Sequence, residues 1–129
     1  MTSFVNFKMQ PTGPINSTKT LVFGNDLYTC ILDGLLLSNL TNNSIQITLW
    51  LSRETDIGVE TELILMNQVL IPENGKIDVL EGLSLTLEVG DLLYAASDFS
   101  ANIFNIFISY RELQESTPGL PYGLKRKLS

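Results

Sequence analysis

At 129 residues the chain has room for one packed domain, and its 44% apolar and 17% charged composition excludes a disordered class. A net charge of −6 argues against nucleic acid as a principal partner, because that affinity depends on cations that neutralise phosphates. A single cysteine excludes an intrachain disulfide scaffold, and the lack of histidine removes the usual neutral-pH general base and most zinc sites.

The opening Met1-Thr2-Ser3-Phe4 has neither the basic nor the apolar region of a signal peptide, and no apolar run is long enough to span a bilayer. The expectation is a soluble protein without a membrane partner. Phe4-Val5-Asn6-Phe7-Lys8-Met9 alternates imperfectly, as an edge strand or an extended arm would, and Gln10-Pro11-Thr12-Gly13-Pro14 breaks the pattern. Residues 1–14 therefore read as an extended N-terminal segment. Residues 19–23 read as a strand closed by Gly24-Asn25-Asp26. Residues 28–38 form a longer apolar stretch with a bulge expected at Asp33-Gly34. Cys30 in that stretch is expected to be a small buried side chain.

Residues 39–44 read as a polar loop, and the Asn-X-Ser/Thr triplets at Asn16, Asn39 and Asn42 as turn chemistry. The clearest period of two follows: Ile45, Ile47, Leu49 and Leu51 share one face, while Gln46, Thr48 and Trp50 share the other. Residues 53–58 read as a charged turn. Residues 60–68 have a helix-compatible composition among strand-like neighbours, and residues 59–70 are taken as strand. Pro72-Glu73-Asn74-Gly75 is a turn suited to positive φ. Short strands are then expected near residues 77–80, 83–87, 92–96 and 103–110, with a turn at Val89-Gly90-Asp91 and a loop over residues 97–102.

The rhythm gives about eight or nine strands at the ~8–12-residue spacing of an all-β sandwich or barrel. The expected architecture is a two-layer antiparallel β-sandwich, jelly-roll-like, over residues 15–113. Residues 114–129 form a C-terminal Pro/Gly-rich arm with too few apolar residues for a core of its own. Leu120, Tyr122 and Leu124 are its apolar anchors, and Lys125, Arg126 and Lys127 its basic end; without those three cations the body stands at −9. The segment is either a solubilising tail or an arm that docks on an acidic neighbour.

Candidate chemistry is sparse. Glu54, Asp56, Glu60 and Glu62 gather around one turn, where a carboxylate pair or a calcium ion is conceivable but a solvated acidic loop is simpler. Asp91 reads as a turn residue, and Asp98 has no evident partner. Trp50 on the polar face of its strand is a candidate surface aromatic contact, packing against a neighbouring element, a second subunit or a sugar ring, and Tyr94 and Tyr110 could extend such a platform. No cofactor and no enzyme activity are expected.

Between about residues 25 and 111 the layout resembles the small β-sandwich virion proteins of tailed bacteriophages. The shared features are the run Tyr28-Thr29-Cys30-Ile31-Leu32-Asp33-Gly34-Leu35-Leu36-Leu37-Ser38-Asn39, the alternating strand over residues 45–51, and a strand ending Leu70-Ile71-Pro72. Residues 83–87 then lead through Val89-Gly90-Asp91-Leu92, and residues 103–110 close the pattern. Val22-Phe23-Gly24-Asn25-Asp26 stands where members often carry a Pro-Ala-Gly turn. The resemblance implies a structural protein of the virion, made in the bacterial cytoplasm, of the head-decoration, neck or tail-fibre-associated type. It also implies a symmetric homo-oligomer, a trimer in the first instance, contacting other virion proteins. The alternative is a sandwich module that binds a glycan on a host surface.

Overall fold

The structure, a computed structural model, describes residues 2–9, 14–25 and 27–114, with residues 2–9 and 114 as backbone only. Nine strands are present: β1 (Thr2–Met9), β2 (Thr20–Gly24), β3 (Thr29–Asn39), β4 (Ile45–Asp56), β5 (Val59–Ile71), β6 (Lys76–Asp78), β7 (Leu85–Leu87), β8 (Leu92–Ser97) and β9 (Phe104–Gln114). No helix occurs among the described residues. One sheet has the order β1-β9-β3-β6, with β7 also on β3; the other has the order β2-β8-β4-β5. Every pairing is antiparallel.

This order is that of a ribbon rolled upon itself. The hairpin β4–β5 is its fold point, and outward from it β3 meets β6 and β7, β2 meets β8, and β1 meets β9. Rolling brings β3 beside β9 and β4 beside β8, which completes the two sheets. The result is the double-sheet jelly roll, in which β6 and β7 act as one interrupted strand.

Alternation dictates the layering. Ile45, Ile47, Leu49 and Leu51 on β4, Cys30, Leu32, Leu35 and Leu37 on β3, and Phe104, Ile106 and Ile108 on β9 are almost wholly buried. They meet between the sheets with Phe23, Leu87, Leu93 and Ile71 in one core. Along β3 the buried parity changes between Leu32 and Leu35, and the bulge expected at Asp33-Gly34 is present as a register shift between Leu32 and Gly34.

Several boundaries differ from the sequence expectation. β4 runs on to Asp56, so residues 53–58 are not a turn, and only Ile57 and Gly58 connect it to β5, Gly58 taking φ 75°. In Pro72-Glu73-Asn74-Gly75 the positive φ (53°) falls on Asn74, not on the glycine. Gly75 is needed for a different reason: a Cβ there would stand 2.9 Å from the Pro72 carbonyl oxygen. Of the two readings of the N-terminal segment, residues 2–9 take the edge strand: β1 pairs with β9 along its whole length, from Thr2 opposite Gln114 to Met9 opposite Phe107.

Polar side chains pin the corners. Asn39, 3% exposed, donates from Nδ2 to the carbonyls of Asn43, Ile71 and Pro72 and accepts at Oδ1 from Thr41, so it clamps two connections at one end. Ile15 bridges to Phe104 while the Asn16 carbonyl accepts from Ser97, which carries the chain from one sheet to the other. At the opposite end Asn25 donates to Glu112 at 3.2 Å, its carbonyl accepts from Gly90 at 2.9 Å, and Asp91 pairs with Arg53. The last residues of β9 and the tip-ward part of the β4–β5 hairpin therefore share one end of the sandwich.

Candidate functional site

Two surfaces stand out among the described residues. The first is the outer face of the sheet β2-β8-β4-β5. Trp50 on β4 lies directly across from Tyr94 on β8 and Ile64 on β5, and Tyr94 lies across from Leu21 on β2. A row Leu21–Tyr94–Trp50–Ile64 thus crosses all four strands, with Leu21 and Ile64 exposed at 46% and 57%. Lys19 lies over this row, its Nζ 4.8 Å from the Trp50 ring centre and 5.2 Å from that of Tyr94, and pairs with Glu62. The ammonium is held by two ring faces and one carboxylate. Beside it Thr48, Gln46, Gln68 and Asp98 rim a depression of about 390 Å³.

Tyr110 does not join this row. It lies on β9 in the other sheet and turns inward, its ring edge-on to Phe23 at 4.8 Å and 71°. Asp98, for which the sequence showed no partner, accepts from the backbone of Gln46 and from Asn102 Nδ2, closing the loop before β9.

The second surface is the hairpin. β5 is an edge strand, paired only with β4 among the described strands, and its residues from Val59 to Leu65 are exposed. Ile57, Val59, Leu63, Ile64 and Leu70 are 94%, 52%, 50%, 57% and 60% exposed. Leu63 is the telling case: it stands opposite Leu51, which is 4% exposed, on the core-facing side, yet remains half open. The hairpin therefore reaches beyond what the facing sheet covers. Glu54, Asp56, Glu60 and Glu62 are exposed along it, and Glu54 lies directly opposite Glu60 across the pair. Like charges so placed repel, which disfavours the hairpin in isolation.

Below the hairpin sits an ion pair the sequence did not reveal. Asp91, 2% exposed, receives Arg53 Nε at 3.0 Å and Nη2 at 2.6 Å, and accepts from the Glu88 backbone at 2.8 Å. The carboxylate holds the Arg53 guanidinium above its ordinary pKa, chiefly through these hydrogen bonds. Gly90, at φ 89°, makes the turn that buries Asp91. Asp91 is a turn residue as read, and also the anchor of β4 against β8. Pattern alone could not show it, because nothing marks Arg53 and Asp91 as neighbours until β4 and β8 pair.

Cys30 is fully buried, and its thiol is pushed up to about 11 by that burial. It is not poised as a nucleophile. The arm residues Leu120, Tyr122, Leu124, Lys125, Arg126 and Lys127 lie outside the described residues. Comparison of the chain with protein-family models, with curated proteins and with solved structures finds no match.

Proposed function

We propose that the chain is a non-enzymatic structural subunit of a tailed-bacteriophage virion, docking on capsid, neck or tail proteins as a symmetric homo-oligomer. The observation that carries this reading is the β4–β5 hairpin, which holds apolar side chains in solvent on an edge strand. Monomeric sandwiches blunt such edges with short strands, prolines, charged side chains or bulges. Here the edge is 13 residues long without proline or lysine; Glu60, Glu62 and the register shifts guard parts of it, yet Leu63, Ile64 and Leu70 remain exposed. Burying the exposed parts of Leu63, Ile64 and Leu70 against another protein is the interaction the surface is built for. The jelly roll itself occurs in capsid and in lectin domains alike, so the fold does not choose between them. The test is mass spectrometry and immunogold labelling of purified particles from cells that make the protein. A stoichiometric band and regular labelling are expected; particles that lack the protein overturn the reading.

The second reading, a glycan-binding module, is favoured by the Trp50–Tyr94 pair beside its polar depression. Lys19 lies over both rings, so a stacked sugar must first displace it. Under this reading Lys19→Ala tightens glycan binding and Trp50→Ala abolishes it, both read by glycan array and calorimetric titration. No binding by the unaltered chain removes the reading.

A further inference from the structure

Exposed backbone and side chains on β5 call for a partner of particular chemistry: extended, apolar on one face and cationic at one end. We propose that residues 119–127 of a neighbouring copy of this chain add to β5 as an antiparallel strand. This rests on the reading of the chain as an assembly subunit and names the contact that assembles it.

The sequence of the segment fits the edge in register. Leu120, Tyr122 and Leu124 alternate along it and share one face of an extended chain, with Lys125, Arg126 and Lys127 following. With Leu124 opposite Leu63, Tyr122 falls opposite Leu65, Lys125 opposite Glu62 and Lys127 opposite Glu60. Leu124 and Tyr122 each meet an exposed leucine, Lys127 meets Glu60, and Lys125 joins Lys19 at Glu62, while Leu120 falls opposite Asn67 beyond the apolar stretch. Opposite residues point to the same side, so Leu124 would cover the half-open Leu63 on the core-facing side. Pro121 differs in parity from the three apolar residues, and its missing N–H can face away from β5. Pro118 lies before the ladder begins. On β5 the regular stretch ends at a register shift near Met66 and at Gln68, whose φ is 50°, so the regular ladder takes in Tyr122 to Lys127 opposite Leu65 to Glu60, and Gly119 to Pro121 fall opposite the irregular part of the edge.

Direction decides between a chain's own segment and a neighbour's. β9 ends at Gln114 on the same end of the sandwich as the hairpin tip. From there a chain's own segment meets β5 at its start and runs parallel to it, which carries the lysines away from Glu60 and Glu62. A neighbour's segment can enter from the other end, run antiparallel and bring its cations to the acidic tip. Antiparallel pairing of β5 with a second β5 about Leu63–Leu65 would set the two acidic tips at opposite ends and bring no cation to Glu54, Asp56, Glu60 and Glu62 of either copy, whereas the segment brings three.

The test uses light scattering and sedimentation on the full chain over a range of concentration and salt. Association that weakens with salt is expected, and a chain ending at Gln114 should remain monomeric at every concentration. The triple variant Lys125→Glu, Arg126→Glu, Lys127→Glu should weaken association at least tenfold. Mixing it with a Glu60→Lys, Glu62→Lys chain should restore association to within about threefold of the unaltered chain. A chain carrying Leu63→Cys and one carrying Leu124→Cys should form a disulfide with each other under mild oxidation. A monomeric full chain overturns the proposal, as does association that survives truncation or cross-linking confined within one molecule. A chain found in particles but monomeric in solution would refute this contact alone and leave the virion reading standing.

Discussion

Asp91 and Cys30 illustrate how burial sets the worth of a single side chain. Asp91 serves Arg53 and the Glu88 backbone N–H at once, so Asp91→Ala removes the forked guanidinium contact and the backbone bond in one step. Arg53 keeps 38% of its side chain in solvent and can turn to water, which limits the loss. We expect about 2 kcal/mol of destabilisation for Asp91→Ala and about half that for Asp91→Asn, measured by urea unfolding. Cys30 gives a prediction in pH. Its thiol stays neutral in the folded chain up to about 11 but ionises near 9.0 when unfolded. Its contribution is therefore complete below pH 9 and lost as pH rises towards 11. Thermal melts should show this alkaline loss, and Cys30→Ala should flatten it. Asp33 behaves oppositely: hydrogen bonding from Arg111 holds its carboxyl below the usual range, so its contribution is present above about pH 4 and lost on acidification. At this scale little was legible beforehand. Alternation marks which residues are buried, as it did for Cys30, but not which distant charge a buried acid meets. Tyr110 misled for the same reason: an aromatic near a strand end shows its face only when the sheet to which that strand belongs is known.

Among the elements, β4 and β5 are joined by two residues yet differ in every environmental respect. β4 lies between β8 and β5 and buries Ile45, Ile47, Leu49 and Leu51; β5 has a neighbour on one side only. Leu49→Ala should cost about 2–4 kcal/mol by the cavity it leaves, whereas Leu70→Ser should change monomer stability by no more than about 0.5 kcal/mol. Chemical denaturation of the two variants side by side measures the contrast. The strict alternation of residues 45–51 made β4 plain in the sequence. β5 was ambiguous because a strand exposed on both faces has no period to read, and its register shifts erase what remains. The bulge at Asp33-Gly34 was legible because a glycine after an acid interrupts an otherwise apolar strand.

For the whole molecule, the sandwich class followed from strand spacing and turn residues, and the two-layer antiparallel arrangement is what the chain adopts. Which strands neighbour one another was not legible, because pattern fixes faces and says nothing of partners. The rolled-ribbon order places most of those partners far apart in sequence. Among the described strands only β4 and β5 are consecutive neighbours; β1 must wait for β9, with Thr2 finally opposite Gln114. Such non-local pairing predicts refolding in milliseconds to seconds, measurable by stopped-flow tryptophan fluorescence of Trp50.

The same order bears on synthesis. A ribosome emits roughly 5–20 residues per second, so β1 emerges several seconds before the strand that completes it exists. β3 is likewise held open on one side until β9 arrives, with Leu32, Leu35 and Leu37 needing cover meanwhile. Among the described strands the one hairpin able to close early is β4–β5, whose second strand stays exposed at the end. The nascent chain thus builds its outward-facing tip first and seals its interior last, which makes the interval before residue 114 the period when a chaperone matters most.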